Sequence, residues 1–220
     1  MKINEVFETI QGEATHTGTP AVFVRTQYCP IGCPWCDTKH TWVAEDPKRS
    51  TFETILAKTQ DSDRWAEAEP AVILQTIQKR FTARHLVLTG GEPMMQPDID
   101  ELCRLALKEG WSVQIESSGT TWTPIPQSVW LTVSPKIDMP GGYKLDSTAI
   151  WRADEIKMPV GKQADIDRLE QLIDHYAISP RRIWLQPLSQ SAKATQLCIE
   201  TATKNNWRIS IQTHKYLNVR

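Results

Sequence analysis

Cys29, Cys33 and Cys36 fall within eight residues, in the stretch YCPIGCPWCD. Pro30 and Pro34 deny this segment a helical course, and Gly32 can take a positive φ that turns the chain back on itself. The segment must curl, so its sulfurs can face one centre. Two chemistries suit such a claw. A structural zinc ion takes four protein ligands, and no fourth stands close by: His40 follows Cys36 by four residues, while His16, Cys103 and His214 are distant in sequence. An iron–sulfur cluster also usually takes four cysteines, but three would leave one iron open to a small molecule. Spacing alone leaves both open. The total of five cysteines is odd, which argues against a disulfide framework. Cys103 and Cys198 lie in helical patterns and read as small buried hydrophobes.

A second chemical element is TGGEP, Thr89 to Pro93, directly after the apolar run HLVL. Paired glycines at a strand end let a ligand approach the backbone, and Glu92 places a carboxylate beside it. A claw after one strand and a glycine pair after the next long one are far more specific together than either alone.

The elements that must position these groups alternate. β-rich runs are expected at Ala21–Thr26, His85–Thr89, Trp111–Ile115, Trp130–Val133, Glu155–Met158, Arg182–Leu185 and Trp207–Gln212, with helices at 71–80, Asp98–Glu109, Gln163–Tyr176 and Ala192–Asn206. Strands separated by helices imply parallel pairing: an α/β sheet or partial barrel. Nearly every strand runs into a polar or glycine-rich tag (RTQYCP, TGGEP, ESSGT, SPK, KMP, QPLSQ, QTHKY), and the carboxyl ends of parallel strands form the face that holds a site. The charged segment Gln60–Pro70 breaks the pattern and reads as a surface excursion. At 220 residues, 40% hydrophobic and 23% charged, the chain suits one domain spanning residues 1–220. A net charge of −1 gives no electrostatic case for nucleic acid or an acidic membrane. Without an apolar run of spanning length or a signal-like start, the chain reads as cytoplasmic.

With an aromatic residue before its last cysteine (Trp35 before Cys36) and the GGEP element, the chain closely resembles the radical S-adenosylmethionine (radical SAM) superfamily. The resemblance implies an abbreviated, partial (βα) barrel and a 4Fe–4S cluster on Cys29, Cys33 and Cys36, whose open iron chelates S-adenosyl-L-methionine. Reductive cleavage would then give a deoxyadenosyl radical that abstracts hydrogen from substrate. FETIQGEATHTGTPAVFVRTQYC, CDTKHTW, IESSGT, VSPK, EIKMPVG, LQPLSQ and QTHKYLN, in order from Phe7 to Asn218, are similar to the deazaguanine-forming family within it. That resemblance implies radical ring contraction of 6-carboxy-5,6,7,8-tetrahydropterin to 7-carboxy-7-deazaguanine with loss of ammonia, in queuosine biosynthesis. It also implies a Mg²⁺ requirement, a homodimer and a flavodoxin-type electron donor.

By position, the resemblance assigns Ile10, Gln11, Gly12, Arg25 and Thr89 to substrate. It assigns Trp35, Asp37, Gly91, Ser134, Pro135, Lys136, Gln186, Pro187, Leu188 and Ser189 to the cofactor, and Thr38 to magnesium. Chemistry supports two of these. Amide and backbone groups at 10–12 suit a pterin's donor–acceptor edge. The Arg25 guanidinium suits a substrate carboxylate, a buried structural salt bridge being its competing role. Glu13, Glu116 and Ser117 are possible pocket residues, and His214, Lys215 and Tyr216 a possible cover. Ala14 stands where the family more often has glycine, so a different local turn is expected.

Overall fold

The computed structural model describes residues 1–219. A nine-stranded sheet has the order β3-β1-β2-β4-β5-β6-β7-β8-β9. These are β1 (Lys2–Ile10), β2 (Pro20–Thr26), β3 (Ala66–Glu67), β4 (His85–Gly90), β5 (Ser112–Ser117), β6 (Trp130–Val133), β7 (Glu155–Val160), β8 (Ile183–Pro187) and β9 (Arg208–Ile209). From β2 to β9 every pairing is parallel. Helices α1 (Phe52–Leu56), α2 (Pro70–Arg80), α3 (Ile99–Lys108), α4 (Ser147–Arg152), α5 (Gln163–Tyr176), α6 (Ala192–Asn205) and α7 (Thr213–Leu217) complete the chain.

Three expectations need correction. β1 was not foreseen; it joins β2 in antiparallel register, Phe7 opposite Phe23 and Glu5 opposite Arg25, and the alternation of strands with helices carries no signal for such a hairpin. The segment at Trp207–Gln212 keeps only two strand residues before Ser210 and Gln212 turn to side-chain bonding. Gln60–Pro70 is no mere excursion: Trp65 is buried, its Nε1–H donates to the Glu45 carbonyl at 2.9 Å, and Ala66 pairs with Ile3.

The register divides the sheet by chemistry. Leu86, Leu88, Ile115, Leu131, Val133 and Ile156 share the outer face, are fully buried, and belong to one core with Ile77 of α2, Leu102 of α3 and Leu169 of α5. This face supplies the cohesion, since burying a large aliphatic side chain stabilises the fold by roughly 1.5–3 kcal/mol. Cys103 and Cys198 are buried on α3 and α6, as expected of small hydrophobes. The alternate residues form the inner face, which is polar: Gln114, Thr132, Glu155 and Lys157 are all buried. They satisfy one another. Gln114 Nε2 donates to Thr132 Oγ1 (3.0 Å), Thr132 Oγ1 to Glu155 Oε1 (2.8 Å), and His85 Nε2–H to Gln114 Oε1 (3.1 Å). Burial holds His85 below the ordinary histidine value, consistent with a neutral ring in this role.

Candidate active site

The inner face opens at the carboxyl ends of the strands into a cavity of about 390 Å³. The expected convergence of the polar tags holds: residues after β2, β4, β5, β6, β8 and β9 all line it. Of the residues singled out for substrate, cofactor or metal, all but Gly12 and Pro135 border this cavity.

The claw leaves β2 at Tyr28, which takes φ 90°, and Gly32 supplies the expected reversal at φ 72°. Its ends are clasped from outside, the Tyr28 N–H donating to the Thr41 carbonyl (2.7 Å) and the Cys29 N–H to that of Trp42 (3.0 Å). The glycine pair locks it from inside. The Gly91 N–H donates to the Thr26 carbonyl and the Glu92 N–H to that of Tyr28, both at 2.9 Å. A Cβ on Gly91 would strike the Tyr28 carbonyl, and one on Gly141 the Pro30 carbonyl, so both glycines are required by close approach of two backbones. Burial pushes the Cys29 thiol up to about 12 and raises that of Cys33, so a metal must displace protons to bind there.

The three free thiols fit an iron–sulfur cluster better than zinc. Among the described residues no three His, Cys, Asp or Glu side chains converge closely enough to hold a single ion. Cysteines on separate corners of a cluster stand further apart than the ligands of one tetrahedral ion. Lys136 adds positive charge at the same place. Its Nζ donates to the Ser134 carbonyl and hydroxyl (2.8 and 2.6 Å); burial lowers its pKa, while the field of Cys33 acts the other way.

The opposite wall is a buried charge triad. Lys157 Nζ donates to Glu13 Oε2 and, at 3.1 Å, to Glu116 Oε2. Burial disfavours the Lys157 charge, but Glu116 and Glu13 outweigh it and raise its pKa. Burial likewise raises Glu13, yet the charge and hydrogen bond of Lys157 hold it down at about 2. Lys157 lies in the KMP tag but was not picked out as a site residue, because both its partners are remote in sequence. The alternation of Glu155, Lys157 and Pro159 on one strand face was the available signal.

Gln11 borders the cavity and is tied into a side-chain network there. Its Nε2 donates to Glu116 Oε1 (3.0 Å) and Gln114 Oε1 (3.1 Å), its Oε1 accepts from the Glu13 N–H (3.1 Å), and its own N–H and C=O are paired with Thr19 and Gly18. It orients the Glu116 carboxylate and fixes the backbone of Glu13. Arg25 makes the structural salt bridge weighed for it and also borders the cavity. Its Nε donates to buried Glu5 (3.1 Å), while the guanidinium lies beside the Phe7 ring and faces the cavity. Burial lowers its pKa, opposed by Asp37 among others.

The cover at the chain's end is partly realised. The Thr213 N–H donates to the Gly12 carbonyl (2.9 Å), and Gln212 Nε2 donates to Glu13 Oε1 (2.9 Å). His214 and Lys215 border the cavity, whereas Tyr216 is exposed. Gly12 is kept free of a side chain by His214, which a Cβ would strike. Ala14 keeps the left-handed turn at φ 52° instead of changing it. That conformation costs an alanine roughly 1 kcal/mol relative to glycine.

Residues 23–129 match the Radical SAM superfamily model. The chain is 50% identical over 219 residues to 7-carboxy-7-deazaguanine synthase of Escherichia coli (strain K12), covering 99% of this chain and 98% of that protein. It is 40% identical to the enzyme of the same name from Buchnera aphidicola subsp. Schizaphis graminum, with 99% and 98% coverage. It superposes on the crystal structure of QueE from Escherichia coli with a TM-score of 0.91 and 48% identity, covering 97% of this chain and 94% of that one.

Proposed function

We infer from its membership of the 7-carboxy-7-deazaguanine synthase family, within the radical SAM superfamily, that this chain contracts the ring of 6-carboxy-5,6,7,8-tetrahydropterin to 7-carboxy-7-deazaguanine and releases ammonia. It is a radical SAM enzyme of 7-deazapurine biosynthesis. The observation that carries the substrate reading is the meeting of claw, Arg25 and the Glu13–Lys157–Glu116 triad on one cavity.

Cys29, Cys33 and Cys36 hold the 4Fe–4S cluster. With S-adenosylmethionine bound, that cluster supplies the hydrogen-abstracting radical. The residues of the chain bind, orient and shield. The backbone at Gly91 and the groups of Ser134 and Lys136 line the cofactor's side of the cavity, with Pro135 between them and Trp35 and Asp37 at its rim. Gln186 has its Nε2 on Glu13 at 3.3 Å, so the loop Pro187–Ser189 beside it is the freer part of that segment. Ser189 itself sits at φ 55°.

Arg25 receives the substrate carboxylate, next to the Thr89 strand end with which its backbone pairs. Glu116, held by Gln11 and Lys157, presents a fixed acceptor to the amino and N–H groups of the pyrimidine half. Lys157 keeps its proton and serves as a fixed cation between the two carboxylates. The Phe7–Phe23 stack (5.3 Å) walls the cavity against water.

Magnesium fits only with help. Thr38 offers one hydroxyl, so substrate oxygens and water must complete the shell. A homodimer and a flavodoxin-type donor complete the proposed system. No helix among the described residues is long and apolar enough to cross a membrane.

The test is anaerobic. Protein loaded with iron and sulfide, reduced, and given S-adenosylmethionine, Mg²⁺ and the tetrahydropterin should form a deazapurine and ammonia in equal amounts. Cleavage of the cofactor without any deazapurine would remove the substrate assignment.

A further inference from the structure

Trp42 belongs to the CDTKHTW stretch, yet none of the roles above uses its side chain. It is half-buried, and its indole Nε1–H donates to Cys36 Sγ at 3.4 Å. The Thr38 hydroxyl lies 3.6 Å from the same sulfur. Among the described residues no side chain is placed to donate to the sulfur of Cys29 or Cys33. The three thiols are therefore unequal: one carries side-chain donors and two do not.

The indole is held in this position from several sides. The Trp42 carbonyl accepts the Cys29 N–H and its N–H donates to the Lys39 carbonyl at 3.1 Å, so its backbone is tied to the claw at one end and to the short turn Lys39–Thr41 at the other. Lys39 Nζ lies 5.7 Å from the ring centroid, with its cation over the indole face. Such a contact draws electron density toward the cation and sharpens the N–H as a donor.

We propose that Trp42 sets the reduction potential of the cluster, through the hydrogen bond its indole N–H gives to Cys36. This rests on the reading that Cys36 is a cluster ligand. Reduction adds one electron to the iron–sulfide core and forms or breaks no bond; part of the added charge falls on the ligand sulfurs. A donor on one sulfur stabilises the reduced form more than the oxidised form and raises the potential. If the Thr38 hydroxyl turns to magnesium, the indole is left as the one side-chain donor to Cys36. Trp42 is thus a positioning and tuning residue, acting on the reaction through the ligand it touches.

The experiment is an electrochemical titration of loaded protein, in which an electrode with mediators supplies the electron and electron paramagnetic resonance counts the reduced cluster. Trp42→Phe keeps a ring for Lys39 and the carbonyl for Cys29 while removing the N–H. At the potential that half-reduces the native protein, its reduced-to-oxidised ratio should fall about tenfold, a drop in midpoint of about 59 mV for a one-electron couple. Iron and sulfide counts must match between the two proteins. If Trp42→Phe does not retain its cluster, benzothienylalanine placed at position 42 replaces the N–H by sulfur at nearly constant shape and should give the same shift. Fully loaded variants with the native midpoint would overturn the proposal. A native protein that takes up no iron and sulfide would instead overturn the ligation reading beneath it.

Discussion

Arg25 combines a structural ion pair with a place on the cavity wall. Its Nε is committed to Glu5, which is buried, and the rest of the guanidinium faces the cavity. Arg25→Ala should therefore have two separable effects. Deazapurine formation should fall about a hundredfold, the loss of roughly 3 kcal/mol expected for a buried charge-assisted contact. Stability to urea should fall by roughly 1–3 kcal/mol because buried Glu5 loses its hydrogen bond from Arg25. Cofactor cleavage in the absence of substrate should persist; its loss, or undiminished product, would remove Arg25 from the substrate site. At this scale the sequence was readable where function is local. Three cysteines and a glycine pair declare themselves by spacing. Lys157 and the side-chain network of Gln11 did not, because their partners Glu13, Glu116 and Gln114 are brought to them only by the closing of the sheet.

Among elements, the end of β4 and the start of the claw are in close backbone contact. The Gly91 and Glu92 N–H groups bind carbonyls on the β2 side, and no room remains for a side chain on Gly91. Gly91→Ala should push the claw off its seat. Expected are an overpacking cost of about 1–3 kcal/mol and a substantial loss of bound iron per chain, with the far-ultraviolet circular dichroism unchanged. Full iron loading in that variant would show that the claw is held by the Thr41 and Trp42 carbonyls alone. The parallel strands and their helices could be foreseen from apolar runs, since their outer residues bury against helices and carry periodicity. β1 could not: its partner is antiparallel, and Phe7 lines the cavity while Glu5 accepts from Arg25 rather than packing into the helical layer.

For the molecule as a whole, the segment after β9 meets the turn after β1 at the cavity. Residues after β9 bind the Gly12 carbonyl and Glu13, close to the first strand. Ending the chain after Ile211 should leave the melting temperature within a few degrees, because among the described residues no side chain beyond Ser210 is buried. The KM for the pterin should rise about tenfold, the equivalent of one or two lost hydrogen bonds. An unchanged KM would mean that the tail is only a surface ornament.

The sheet's two margins, β3 and β9, are only two residues long each. They expose almost no unpaired backbone to a neighbouring chain, which guards a long sheet against edge-to-edge growth. Prolonging the sheet at β3 or β9 would give a neighbouring chain no more than two residues of either strand to pair with.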